Sequence, residues 1–109
     1  HLYIFTPADS FGDGGPDLTY RVRMFAPAMG IVEDPATGAA ATAFAGYLAP
    51  LQNLKNGTAC WSVDQGFEMG RPSRLEIEAD ISGGEITSIR VSGRSVMVSQ
   101  GEIEIPEDA

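Results

Sequence analysis

From Leu2 to Thr6 the chain is β-branched and aromatic and then meets Pro7, which predicts a short strand. Ala8 to Asp17 collects Asp9, Ser10, Gly12, Asp13, Gly14, Gly15 and Pro16, residues suited to turns, and predicts a loop. Over Tyr20–Ala26, apolar Tyr20, Val22 and Met24 alternate with Arg21 and Arg23, the period of a half-buried strand. A second clean alternation spans Arg74–Asp80, with Leu75, Ile77 and Ala79 on one face and charges on the other. Turns at Ser82–Gly84, Ser92–Gly93 and Gln100–Gly101 then separate Ile86–Val91, Val96–Ser99 and a last run through Ile103 and Ile105. Such closely spaced runs predict antiparallel pairing in a meander or barrel wall.

Between these strands the pattern changes. Gly38 to Ala49 is dominated by alanine and ends at Pro50, so it predicts a helix over about 38–49. No charged residue falls in it, and every face is apolar or small. A helix apolar all round has to be buried all round. The expected fold is therefore α+β: an antiparallel, barrel-like sheet wrapped around one central buried helix.

Composition narrows the functional classes. The chain has 109 residues, which is one domain's length. Seven Lys+Arg against 15 Asp+Glu give a formal charge of −8, which argues against nucleic acid or an anionic membrane as partner. No apolar run approaches the roughly 20 residues of a membrane-spanning helix, and no basic-then-apolar signal opens the sequence. The sole histidine is His1, at the chain end, and the sole cysteine is Cys60, which argues strongly against a Ser-His-Asp triad, a Cys-His pair or a multi-histidine metal site built within the chain. Cys60, in the apolar run Ala59–Val63, is expected to be a small buried hydrophobe in a protein of the reducing cytoplasm. The chain begins directly in a strand and without Met, as expected of a piece of something larger.

Two segments carry candidate chemistry. Glu33-Asp34-Pro35-Ala36-Thr37-Gly38-Ala39 places a carboxylate, a hydroxyl and a glycine just before the helix, whose first N–H groups are unpaired and attract anions. A substrate carboxylate or phosphate held by Thr37, Gly38 and Ala39 would lie beside Asp34, which is placed to accept its hydrogen bonds or share in proton transfer. The structural alternative is that Asp34 and Thr37 merely cap the helix. Asp64 to Ser73 holds Gly66, Gly70, Arg71 and Pro72, a shaped loop supporting the next strand. Arg71 either clamps a carboxylate or pairs with an acidic neighbour on the same loop. Glu33 and Glu68 are the other carboxylates to follow.

Val32 to Gly38, the alanine-rich helix, Gln65-Gly66 and Met69 to Ser73 together resemble the phenazine-biosynthesis PhzF-like family, as do Arg23 to Pro27 and Gly30-Ile31. The resemblance runs from about Leu2 to Ile105 and matches the C-terminal half of that family. It implies a diaminopimelate-epimerase-like fold of two similar lobes, each a barrel-like sheet around a central helix, with the active site between them. Residues 1–109 are then a single lobe. It also implies an isomerase that shifts a proton on a small carboxylic acid without cofactor or metal. The family's main acid/base glutamate lies in the N-terminal lobe, which this chain does not contain, so the lobe alone is expected to be inactive. The aspartate and helix-start amides of the Asp34–Gly38 loop would meet the substrate. The family usually has serine where this chain has Ala39, which removes one hydroxyl from the site. Two-thiol racemases of the same fold carry a cysteine at this helix start; here the loop has Asp34 instead.

Two functions remain open on these grounds: the carboxylate-binding lobe of such an isomerase, or a stand-alone, non-catalytic binding or oligomerisation domain that pairs as a homodimer or with an N-terminal lobe. A phosphate-binding domain fits poorly, because no Lys-Ser/Thr ending follows the glycine.

Overall fold

In the computed structural model, which describes residues 1–8 and 18–108, the two alternating segments form interior strands of one mixed sheet, on either side of its middle strand. From Asp9 onward the expected Ala8–Asp17 loop lies outside the described residues. The strands are β1 (Leu2–Ala8), β2 (Thr19–Ala26), β3 (Ile31–Asp34), β4 (Asn56–Gln65), β5 (Ser73–Ser82) and β6 (Glu85–Ser92). The helix α1 (Gly38–Leu48) connects β3 to β4. The sheet order is β1-β2-β4-β5-β6, with β3 also paired to β2. β1 runs through Pro7, which an edge strand tolerates because one side of it needs no ladder hydrogen bond.

The expectation of a wholly antiparallel sheet is corrected at one place. β2 and β4 are parallel, pairing Thr19–Val22 with Ser62–Gln65. Parallel neighbours need a long crossover, and α1 supplies it. Every other pairing is antiparallel. β3 meets β2 at Met24 and Ala26, beyond the point where β4 stops, so β3 and β4 share the same edge of β2.

The alternation reads directly into burial. Tyr20 and Val22 of β2, Trp61 and Val63 of β4, and Leu75, Ile77 and Ala79 of β5 are buried in one cluster with Ala41, Phe44, Ala45 and Leu48 of α1, and Met24 of β2 is buried beside it. Phe44 is the aromatic anchor, with ring centroids 4.7 Å from Phe5, 5.1 Å from Tyr20 and 5.5 Å from Tyr3. On the opposite face of β5 and β6, Arg90 bonds both Asp80 and Glu78, and together with the Thr58 hydroxyl it holds the Asp80 carboxyl down at about 2.

Three expectations fail here. α1 is not buried all round: Ala39, Ala43 and Tyr47 form an exposed stripe, with Tyr47 58% exposed, because the sheet covers one side of the helix and its edges β1 and β6 do not pair with each other. Val96–Ser99 and the Ile103–Ile105 run are not strands; Val96, Met97, Val98, Ile103 and Ile105 are 83–92% exposed, with no partner strand among the described residues. Cys60 is exposed rather than buried, because it points away from the face that carries Trp61. Its thiol is pushed up by desolvation and by nearby Glu78, which keeps it in the unreactive protonated form. No helix among the described residues is long and apolar enough to cross a membrane.

Ile77 is fully buried at the middle of the sheet. Ile77→Ala is expected to destabilise the fold by about 2–5 kcal/mol. Urea unfolding checks this, with the midpoint falling and the slope unchanged.

Candidate functional site

The site follows from the shared edge of β2. Val22 pairs with Gln65 at the end of β4, and Met24, two positions on, pairs with Asp34 at the end of β3. Two residues along a strand is about 7 Å, so the end of β4 abuts the turn that leads into α1. Gln65, at 0% exposure, fills that junction. Its Nε2 donates to the Asp34 carbonyl oxygen (2.8 Å) and to Thr37 Oγ1 (2.9 Å), while its Oε1 accepts the Thr37 backbone N–H (3.2 Å). Thr37 Oγ1 in turn donates to Asp34 Oδ2 at 2.6 Å.

This network decides against simple capping. Thr37 occupies the cap position in an extended conformation (φ −129°), yet no side chain caps α1. The Thr37 hydroxyl proton goes to Asp34, and its backbone N–H goes to Gln65. The first-turn N–H groups of Gly38, Ala39 and Ala40 therefore have no intrahelical acceptor and carry the positive end of the helix.

A cavity of about 390 Å³ opens beside Ala39 and Ala40. Asp34, Thr37, Ala39 and Ala40 border it on one side, and Leu2, Met24, Met29 and Ile31 make the other wall apolar. Asp34 is its one acidic lining residue among the described residues. Tyr3 also lines it; burial pushes the phenol up to about 12, and its hydroxyl has no hydrogen-bond partner among the described residues. A larger cavity of about 700 Å³ lies across the loop at Ala36, Ser73 and Arg94, but neither Asp34 nor the helix start borders it. The smaller cavity is the one that brings Asp34 and the start of α1 together.

The second motif holds the loop in shape. Gly66 has φ +84°, and a Cβ placed there would lie 2.2 Å from the Arg71 carbonyl oxygen and 2.7 Å from that of Pro35. Only glycine allows the two loops to approach so closely. Ser73 Oγ donates to the Pro35 carbonyl oxygen at 3.0 Å and lies 3.2 Å from that of Gln65. Gly70 adopts φ +70° and closes the turn onto Phe67. Arg71 contributes its backbone, its N–H donating to the Gly66 carbonyl oxygen at 2.9 Å. Its guanidinium makes no ion pair among the described residues, so the expected pairing with an acidic loop neighbour is not formed.

Glu33 and Glu68 are both tied up elsewhere. Arg23 holds Glu33 through two hydrogen bonds, at 2.6 and 3.2 Å, and depresses its carboxyl below the usual range. Arg21 holds Glu68 at 3.1 Å while stacking over Phe67. Sequence reasoning placed Asp34, Thr37, Gly38 and Ala39 together and chose Gly66; it quoted Gln65 and Ser73 within the second motif but gave no role to either, and they fasten the loop. The available signal was their position, one residue before Gly66 and one after Pro72, at the two ends of the shaped loop.

A family model for phenazine biosynthesis-like proteins, PhzC-PhzF, matches residues 3–101. An uncharacterised isomerase of Mesorhizobium japonicum is 42% identical over 89 residues, which is 82% of this chain and 30% of the relative. The trans-2,3-dihydro-3-hydroxyanthranilate isomerase of Pseudomonas aeruginosa is 40% identical over 87 residues, 80% of this chain and 31% of that enzyme. An uncharacterised isomerase of Clostridium acetobutylicum is 35% identical over 105 residues, covering 94% of this chain and 33% of the relative. The chain thus spans about a third of the length of these relatives.

Gly66→Ala is expected to destabilise the chain by about 1–3 kcal/mol from backbone strain alone. The amide resonances of Asp34–Ala39 should shift along with the melting temperature, because the added methyl presses on Pro35.

Proposed function

Because the chain belongs to the phenazine biosynthesis-like family, we propose that it is the carboxylate-binding, C-terminal lobe of a cofactor-independent isomerase that shifts a proton on a small carboxylic acid. The observation that carries this reading is an uncapped helix start beside Asp34, opening on an apolar cavity. A substrate carboxylate accepts the N–H groups of Gly38 and Ala39, where the helix dipole is worth most. Its carbon skeleton lies on Leu2, Met24 and Ile31. The name of the Pseudomonas aeruginosa relative specifies a six-membered ring bearing a carboxylate, a shape suited to such a site.

In the proposed reaction a C–H bond breaks as a base takes the proton. The electron pair delocalises through an adjacent double bond, and the proton returns at a second carbon. The base is a glutamate on a second, N-terminal lobe, and Asp34 orients the substrate by accepting a hydrogen bond from it. In this diaminopimelate-epimerase-like arrangement the open stripe of α1 and the exposed Val96–Ile105 run lie against further parts of a longer protein. The same exposed surfaces also favour a second reading, a stand-alone domain that dimerises through them. The mass of the native product from its source cells separates the two, since a product near 11.5 kDa sinks the two-lobed reading.

Anthranilate, a stable ring carboxylate, is the probe. Titrated into the 15N-labelled chain, it is expected to shift the N–H resonances of Gly38, Ala39 and Ala40; shifts confined to other residues would overturn the reading. Ala39→Ser restores a hydroxyl at the helix start and is expected to tighten anthranilate binding by about 1.5–3 kcal/mol. No gain there removes position 39 from the binding site. In the two-lobed protein, Asp34→Ala, which removes the acceptor, is expected to lower turnover by about 10–150-fold, the worth of one hydrogen bond to a charged group. Steady-state kinetics measure this, and an unchanged rate would dismiss Asp34 from the reaction.

A further inference from the structure

We infer that Gln65 is a positioning residue for Asp34: its side-chain amide sets the direction of the Thr37 hydroxyl and so leaves one carboxylate oxygen, Oδ1, free for the ligand. The inference rests on the reading that Asp34 meets the substrate, and it goes beyond that reading in assigning a role to a side chain that does not itself border the cavity.

The orientation of the Gln65 amide is fixed by its partners. A backbone N–H can only donate and a backbone carbonyl can only accept, so the atom facing Thr37 N–H is the oxygen and the atom facing the Asp34 carbonyl is the nitrogen. The second proton of that nitrogen then points at Thr37 Oγ1, 2.9 Å away. A hydroxyl oxygen that accepts on that side turns its own proton to the other side, toward Asp34 Oδ2 at 2.6 Å. The hydrogen bonds run in one direction, from Gln65 through Thr37 to Asp34. Oδ2 is thereby occupied, and no hydrogen bond reaches Oδ1 among the described residues. The Thr37 hydroxyl is committed inward, so Thr37 serves a ligand by holding Asp34 rather than by donating to the ligand.

Gln65 at 0% exposure has no solvent to exchange with, so the chain of donors does not reverse on its own. A glutamine that were only a core filler would be replaceable by an apolar side chain of similar length with no effect on the Thr37 proton. That difference is measurable.

Proton NMR of the chain is the test. The Thr37 hydroxyl proton is expected to be resolved, to vanish in Thr37→Val, and to show a cross-peak to the Gln65 side-chain amide protons. In Gln65→Met its exchange with water should speed up by about tenfold, the worth of one lost hydrogen bond. Gln65→Glu keeps the acceptor for the Thr37 N–H but loses both donations, and the same acceleration is expected should the methionine variant fail to fold. An unchanged hydroxyl proton in the folded variant overturns the inference, as does the absence of the cross-peak in the parent chain. Anthranilate separates this from the functional reading. If the hydroxyl behaves as stated while anthranilate leaves Gly38–Ala40 unmoved, carboxylate binding falls and the role of Gln65 stands. If anthranilate binds the parent and Gln65→Met equally, with the hydroxyl proton unchanged, the role of Gln65 falls and the binding reading stands.

Discussion

Everything at the site hangs on β3 and β4 sharing one edge of β2. Because β4 stops pairing at Val22 and β3 begins at Met24, the last residue of one strand is set against the last residue of the other. Such a junction leaves backbone groups that no ladder satisfies, and unsatisfied buried groups cost about 1–3 kcal/mol each. Gln65 satisfies them with a single side chain, pairing a carbonyl and an N–H of the turn. The parallel β2–β4 pairing and the crossover helix that permits it are therefore what place a helix start beside a carboxylate.

The same economy explains the missing cap. A capping side chain normally stabilises a helix by about 1 kcal/mol. Here Thr37 forgoes that role and bonds to Asp34 and Gln65 instead, leaving the first-turn N–H groups uncapped where Ala39 and Ala40 border the cavity. Local stability withheld at one point while the surroundings over-determine the geometry is the usual mark of a binding site. Gly66, pressed between the Arg71 and Pro35 carbonyls, is the clearest sign of over-determination, since any side chain there would push the two loops apart.

Much of this was legible in the residues. The alternation in Tyr20–Ala26 and Arg74–Asp80 specified two strands and their buried faces, and the alanine run specified the helix to within a residue. The Asp34–Ala39 segment was recognisable because a carboxylate, a hydroxyl and a glycine before an apolar helix have few other uses. What escaped were effects of long-range topology. Parallel pairing of β2 with β4 has no local signature, and so neither did the meeting of Gln65 with Asp34. Cys60 was misjudged because its apolar neighbours hid the alternation that turns it outward. The late apolar runs at Val96 and Ile103 have strand periodicity, but periodicity describes what a segment would bury, not whether a partner is there to receive it. The helix expected to be wrapped is half open for the same reason: an apolar face states a requirement for cover, and the sheet meets it only over Ala41, Phe44, Ala45 and Leu48.

The carboxylates divide in a way that bears on the chemistry. Glu33 lies close in sequence to the loop, yet Arg23 holds it by two hydrogen bonds and keeps it ionised, which makes it a weak base. Glu68 is engaged by Arg21. Asp34 is the carboxylate that borders the cavity, and one of its oxygens already accepts from Thr37. A group so fixed in direction is suited to aligning a substrate, whereas a group that carries a proton between two carbons has to reach both. On the proposed reading the two tasks fall to different lobes. This chain supplies direction through Asp34 and the helix start, and the moving proton belongs to a glutamate brought from outside it. The rigidity built by Gln65, Gly66 and Ser73 is then the functional property of the lobe, because an orienting carboxylate is only as useful as the loop that holds it still.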